Sequence, residues 1–168
     1  QLGADVMGIS LDLPSYPSHF VVSKINLGIK DVRLDIRDKK KLEKKFIAFK
    51  PHFVFHLAAQ PLVGLSYKDP ITTWQTNVFG TLNVLQSLRK LKNACNVVII
   101  TSDKCYFNKE IIYGYKETDT LGGKDPYSSS KASAELLVKS FINSFFSNGK
   151  KKIRIVTARA GNVVGGGD

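Results

Sequence analysis

The sequence predicts a doubly wound α/β architecture, a parallel sheet with helices on both faces. Two observations carry this. Five short β-branched runs recur at wide spacing, with helical patterns between most of them. Most of the runs are strongly apolar, as strands buried on both faces are. At 168 residues the chain suffices for one domain with one sizeable core, on the usual prior of roughly 150 residues per domain.

Each element has its own signal. The first run, Val6 to Ser10, follows a Gln1-Leu2-Gly3 stretch that reads as the tail of a helix and its glycine stop. The second run is Val32 to Ile36, after which Asp38 is placed to N-cap a helix with Leu42, Phe46 and Phe49 on one face. Phe53 to Leu57 is the third, followed by a helical stripe of Ile71, Trp74, Val78, Leu82, Leu85 and Leu88. Val97 to Thr101 is the fourth. A last helix is expected from about Pro126 to Phe146, through Ala132, Leu136, Val138 and Phe141, before the final run Ile153 to Ala158.

Composition excludes several classes. With 43% hydrophobic and 23% charged residues the chain is neither disordered nor fibrous, and no apolar run approaches the roughly 20 residues that span a bilayer. The net charge of +11 comes largely from Lys39 to Lys45 and Lys150 to Lys152. Neither run has the interleaved aromatics of a base-stacking platform, so solvated faces are expected and neither nucleic acid nor membrane is expected as a partner. Cys95 and Cys105 form no CxxC or Cys/His cluster, so no disulfide framework and no metal site are expected, and a reducing compartment such as the cytoplasm fits. The chain starts without Met and stops abruptly at Asp168. It is therefore read as an interior piece of a longer protein, with an element before residue 1 and a further domain after 168.

In doubly wound sheets ligands bind beyond the carboxyl ends of the strands, so the residues after each run are the candidates. Ser10 and Asp12 follow the first run, where a dinucleotide fold often places an acid on the adenosine ribose; an ordinary loop aspartate is the alternative. Asp35-Ile36 ends the second. After the third come Leu57-Ala58-Ala59-Gln60, whose small residues allow a close backbone approach, while His56 is expected to be a core histidine. The fourth ends in Thr101-Ser102-Asp103-Lys104, a hydroxyl, an acid and an amine in succession. Then comes Tyr127-Ser128-Ser129-Ser130-Lys131 at the start of a helix. Positions i and i+4 share a helix face, and an ammonium on the face of a tyrosine favours the tyrosinate, a base able to take a proton from an alcohol.

These segments together carry a resemblance. His56-Leu-Ala-Ala-Gln-Pro-Leu-Val, Thr76-Asn-Val-Phe-Gly-Thr, Thr101-Ser-Asp-Lys-Cys-Tyr, Leu121-Gly-Gly-Lys-Asp-Pro-Tyr-Ser-Ser-Ser-Lys and Ala158-Arg-Ala-Gly-Asn-Val-Val-Gly-Gly-Gly-Asp resemble the sugar-nucleotide 4,6-dehydratases among the extended short-chain dehydrogenases. Ser-Asp-Lys-Cys-Tyr is the discriminating piece, since dTDP-glucose dehydratases typically read Thr-Asp-Glu there, and it points to the CDP-glucose branch. The resemblance implies a Rossmann domain for NAD, with NADP left open, whose glycine-rich loop precedes residue 1.

It further implies that Tyr127, assisted by Lys131 and Ser102, oxidises the 4-hydroxyl of the glucose unit. Lys104 would then remove the proton at carbon 5 while Asp103 protonates the leaving 6-hydroxyl. Ser10, Asp12, Asp35, Ile36, Leu57, Ala58, Ala59 and Thr76, with Tyr127 and Lys131, are the implied cofactor contacts. Gln60, Ser102 and Asn162 are the implied substrate contacts. Gly64 departs from the pattern, which has Arg there, and Asn77 is as readily structural as functional. A homodimer or homotetramer formed through the helices at about 70–91 and 126–147 is implied. The residues also leave open an epimerase or dehydratase acting on another sugar nucleotide, and a non-catalytic dinucleotide sensor or basic nucleic-acid module.

Overall fold

The computed structural model describes residues 3–147 and 152–165, so the readings at Gln1 and Leu2 and the Lys150 and Lys151 charges lie outside the described residues. Five strands form in chain order: β1 (Met7–Ser10), β2 (Lys30–Arg33), β3 (Phe53–His56), β4 (Cys95–Ile100) and β5 (Ile153–Ala158). Every ladder between them is parallel. The helices are α1 (His19–Val22), α2 (Lys39–Phe49), α3 (Val63–Lys68), α4 (Pro70–Trp74), α5 (Thr81–Lys90) and α6 (Pro126–Phe141). Helical crossovers are what parallel strands require, because no tight turn can join them.

The sheet expected to be continuous comes in two pieces, β1 with β2 and β3-β4-β5 in that order. One core spans both. Leu34 and Ile36 beyond β2, Leu42 and Phe46 of α2, Leu85 and Leu88 of α5, Val97 and Ile99 of β4 and Val138 of α6 belong to a single buried cluster. β2 ends at Arg33 rather than at Ile36 because the chain turns back on itself. Asp35 accepts from the Arg37 amide at 2.8 Å, and its carbonyl accepts from the Asp38 amide. Asp38 then caps α2 as its sequence predicts, accepting from the Lys41 amide at 3.1 Å.

Two helical stripes differ from their reading. From α4 to α5 the helical run is continuous, but Gln75–Gly80 forms a π-helical turn. The wider turn rotates the face that follows it, so a stripe of constant period does not stay buried. Ile71 is 69% exposed, while Leu85 and Leu88 are fully buried. On α6 the buried face carries Tyr127, Lys131, Glu135 and Val138, and Leu136 beside them is exposed. Polar side chains hold the inward positions there, which displaces the apolar period by one residue.

Candidate active site

The site is assembled where β4 and β5 end and α6 begins. The β4–β5 pairing continues past both strands, with the Thr101 amide donating to the Ala158 carbonyl at 2.9 Å and the Asp103 amide to the Ala160 carbonyl at 3.0 Å. Ser102, buried, caps a one-turn 3-10 helix over Asp103–Cys105: its Oγ accepts from the Lys104 amide and donates to Asp103 Oδ1 at 3.0 Å. Lys104 Nζ lies 3.2 Å from the same carboxylate oxygen and 3.5 Å from Asn162 Oδ1. Asp103 and Lys104 are about half exposed, so their ion pair is accessible from solvent.

Asp125 caps α6, accepting from the Ser128 amide at 2.9 Å and the Ser128 hydroxyl at 2.6 Å, and Pro126 fills the first turn, where no amide proton is needed. Tyr127 and Lys131 therefore stand one turn apart on the buried face. Lys131 Nζ is 6.0 Å from the centroid of the Tyr127 ring. Burial lowers the Lys131 pKa from its ordinary value. Among the described residues no buried side-chain nitrogen or oxygen lacks a hydrogen-bond partner. A cleft of about 980 Å³ opens here, lined by Asp103, Lys104, Tyr106, Lys124, Ser128 and Arg159 among others.

The other implied contacts divide. Ser10 is exposed and its Oγ accepts from Arg33 Nη1 at 3.0 Å; Asp12 is exposed beyond it. Asp35 is held below the usual carboxylate range by its hydrogen bond to Arg37. Ile36 is buried in the core, and Gly80 lies so close that a Cβ there would be 2.4 Å from Ile36 Cδ1. Leu57 is exposed, with Ala58, Ala59 and Thr76 half-buried. Gln60 turns inward: its amide donates to Thr73 Oγ1 at 2.8 Å and accepts from the Leu62 amide at 2.6 Å, which leaves its side chain occupied within the fold. A Cβ at Gly64 would meet nothing within 4 Å.

His56 is the core histidine expected, its Nε2 2.9 Å from Thr81 Oγ1. Since that hydroxyl already donates to the Asn77 carbonyl, the imidazole is the donor, which fixes the proton on Nε2. Burial, with the nearby Lys131 charge, pushes its pKa down to about 4. Cys105 is fully buried and its thiol is pushed up to about 11 by burial, so it packs and does not react.

Several structural partners of the site become plain only in the fold. Asn77, in the π-helical turn, accepts from the Gln60 amide at 2.8 Å and donates to the Gln60 carbonyl and to Ser130 Oγ, which itself donates to the Tyr127 carbonyl at 2.6 Å. Arg33 reaches Ser10 from the neighbouring strand, visible only once the register pairs the two residues. Glu135, buried, and Arg159, half-buried at the cleft, form an ion pair at 3.0 Å. The i, i+4, i+8 spacing of Tyr127, Lys131 and Glu135 was the available clue to the first member of that pair.

Among relatives, the chain is 47% identical over its whole length to CDP-glucose 4,6-dehydratase of Salmonella typhimurium, of which it spans 48%. It is 31% identical, over 83% of its length, to dTDP-D-glucose 4,6-dehydratase of Dictyostelium discoideum, of which it spans 33%. The chain thus covers about half or less of these relatives. Its fold superimposes on UDP-glucose 4-epimerase of Thermotoga maritima with UDP-glucose (TM-score 0.76, 21% identity, 94% of this chain and 48% of that one). It also superimposes on a double mutant of dTDP-glucose 4,6-dehydratase from Streptomyces venezuelae with NAD bound (TM-score 0.74, 23% identity, 91% and 45%). At these identities the likeness is one of fold. Residues 18–159 match the family described as GDP-mannose 4,6 dehydratase, and the chain belongs to that family.

Proposed function

We propose that the full-length protein carrying this chain is a CDP-glucose 4,6-dehydratase, converting CDP-glucose to CDP-4-keto-6-deoxyglucose with NAD. The observation that carries the proposal is a cleft lined by Asp103 and Lys104 and by Asp125 and Ser128 at the start of the helix that bears Tyr127 and Lys131. The 47% identity to the Salmonella dehydratase supports this substrate over related ones.

The residues fit NAD. The Lys131 ammonium one turn from Tyr127 suits ribose hydroxyls, Ala58 and Ala59 leave the end of β3 without bulk, and Ser10 at the end of β1 suits the adenosine ribose. NAD, when bound, supplies the reversible two-electron chemistry. Tyr127 takes the proton of the 4-hydroxyl, with Lys131 one turn along the same helix face. Once carbon 4 is a ketone the proton on carbon 5 is acidic; Lys104 removes it and Asp103 protonates the departing 6-hydroxyl. For this the pair must react in its neutral form, the proton passing from Lys104 Nζ to the Asp103 carboxylate 3.2 Å away, because an ammonium cannot accept a proton and a carboxylate cannot give one. Water is lost with no net redox change.

In this reading a strand with a glycine-rich phosphate turn precedes residue 1 and fits between β1 and β3, each of which has an unpaired edge among the described residues. A substrate domain follows residue 168. The protein pairs as a homodimer or homotetramer through the α4–α5 run and α6, where Phe79, Leu136 and Phe145 leave apolar surface exposed. The two buried free thiols suit the cytoplasm.

Incubation of the full-length protein with CDP-glucose and NAD is expected to yield the 4-keto-6-deoxy product, seen as the loss of one water by mass. Turnover of dTDP- or UDP-glucose in its place would move the assignment to another nucleotide sugar. Dehydration of none of them would overturn it.

A further inference from the structure

We infer that the ion pair of buried Glu135 with half-buried Arg159 is a positioning device for the reaction, fixing the helix that carries Tyr127 and Lys131 at a set spacing from the Ser102-Asp103-Lys104 turn. The inference rests on the proposed dehydratase reading for its kinetic consequence and on geometry for the rest. Glu135 lies two turns beyond Tyr127 on the same face of α6 and is buried. Its Oε1 accepts from the hydroxyl of Thr101, the residue before Ser102, at 2.5 Å. Its Oε2 accepts from Thr157 Oγ1 at 3.1 Å and from Arg159 Nη2 at 3.0 Å. One carboxylate thus ties α6 to the carboxyl ends of both β4 and β5.

Arg159 carries the tie outward. Its Nη1 donates to the Glu117 carbonyl at 3.1 Å, and its guanidinium lies 4.8 Å from the centroid of the Tyr106 ring, which stacks on Tyr115. Those residues wall the cleft. Although burial works against its charge, the hydrogen bonds to Glu135 and Tyr106 hold the guanidinium further above its ordinary pKa.

Stability alone does not account for such a pair, since well-packed apolar residues of similar volume often serve a fold as well as or better than a buried ion pair. What the pair supplies is direction. Four hydrogen bonds of fixed geometry meet at Glu135 and Arg159, and a displacement of about 1 Å in a reacting group can cost on the order of a hundredfold in rate.

The test uses the full-length protein with Glu135→Gln, which keeps the shape and places an amide against the Arg159 donor, and with Thr101→Val, which removes a single hydroxyl. Below the melting transition, and per folded molecule, kcat for CDP-glucose is expected to fall at least about tenfold in Glu135→Gln with KM within about twofold, and Thr101→Val is expected to fall in the same sense. A kcat within about twofold of the parent, or a rise in KM that accounts for the loss, overturns the inference. Should the parent dehydrate no CDP-glucose, the functional reading fails by itself, and amide hydrogen exchange in the unliganded protein decides. Exchange over residues 102–106 and 118–125 should then be at least about tenfold faster in either variant, and unchanged exchange overturns the tie. If neither variant folds, the pair is a folding element and the inference is wrong.

Discussion

Gly123→Ala tests how tightly the start of α6 is held. A Cβ at that position would sit 2.4 Å from Ser128 C, Ser128 Cβ and Ser129 N, all of them backbone or backbone-proximal atoms of the first helical turn. Carbon atoms in contact rest at about 3.5 Å or more, so the turn bearing Tyr127 must retreat by about 1 Å or the preceding loop must lift away. The loop cannot lift freely, because the Gly123 carbonyl accepts from Ser129 Oγ at 2.8 Å and the Gly122 amide donates to the Cys105 carbonyl at 2.9 Å. Overpacking of this kind costs about 1–3 kcal/mol of stability. A shift of about 1 Å in a catalytic group costs on the order of a hundredfold in kcat. The assay is turnover of CDP-glucose by the full-length protein, alongside its thermal midpoint. Gly114→Ala serves as the control, since nothing lies within 4 Å of its Cβ. Parental kcat and melting temperature in Gly123→Ala would refute the reasoning, as would an equal effect at Gly114.

Tyr127→Phe is expected to abolish all steps, including any transient absorbance of reduced cofactor in a single turnover. Lys104→Ala should keep that transient and lose product formation, by several kcal/mol of transition-state stabilisation; near-normal turnover would leave Asp103 and Lys104 a surface ion pair. The folded state keeps His56 neutral, with a pKa of about 4 against 6.5 for an unperturbed imidazole. Above pH 6.5 neither state binds the proton, whereas between 6.5 and about 4 only the unfolded chain does, so stability is lost as the pH drops from 6.5 to about 4, by about 3 kcal/mol in all. Urea unfolding from pH 7 to 4.5 measures this, and a His56→Gln variant with the same pH slope as the parent would contradict it. Leu88→Ala, at a fully buried position, should cost about 3 kcal/mol by the same assay, and a change below about 1 kcal/mol would deny it a place in the core.

The strands and their parallel sense were legible because apolar runs such as Val97 to Thr101 report burial on both faces directly. The Asp38 and Asp125 caps follow from side-chain chemistry confined to one turn, which a sequence states outright. What sequence could not carry were contacts made across the sheet. Gln60 looked like a polar residue at a ligand edge, yet its bonds go to Thr73 and Leu62, and no local pattern announces a fold in which those atoms meet. Arg33 reaches Ser10 only because two strands far apart in the sequence pair in one register. The π-helical turn at Asn77 likewise breaks a period that the sequence writes as unbroken.

The outer edge of β3 has a consequence for handling the protein. Phe53 and Phe55 on that strand are 66% and 65% exposed, and its backbone groups on that side have no ladder partner among the described residues. An apolar strand with one row of free amides and carbonyls is a template for any extended chain that meets it. Residues 1–168 expressed by themselves should therefore self-associate as concentration rises, with the new ladders nucleating at β3, and a lysine at position 55 should raise the concentration they tolerate.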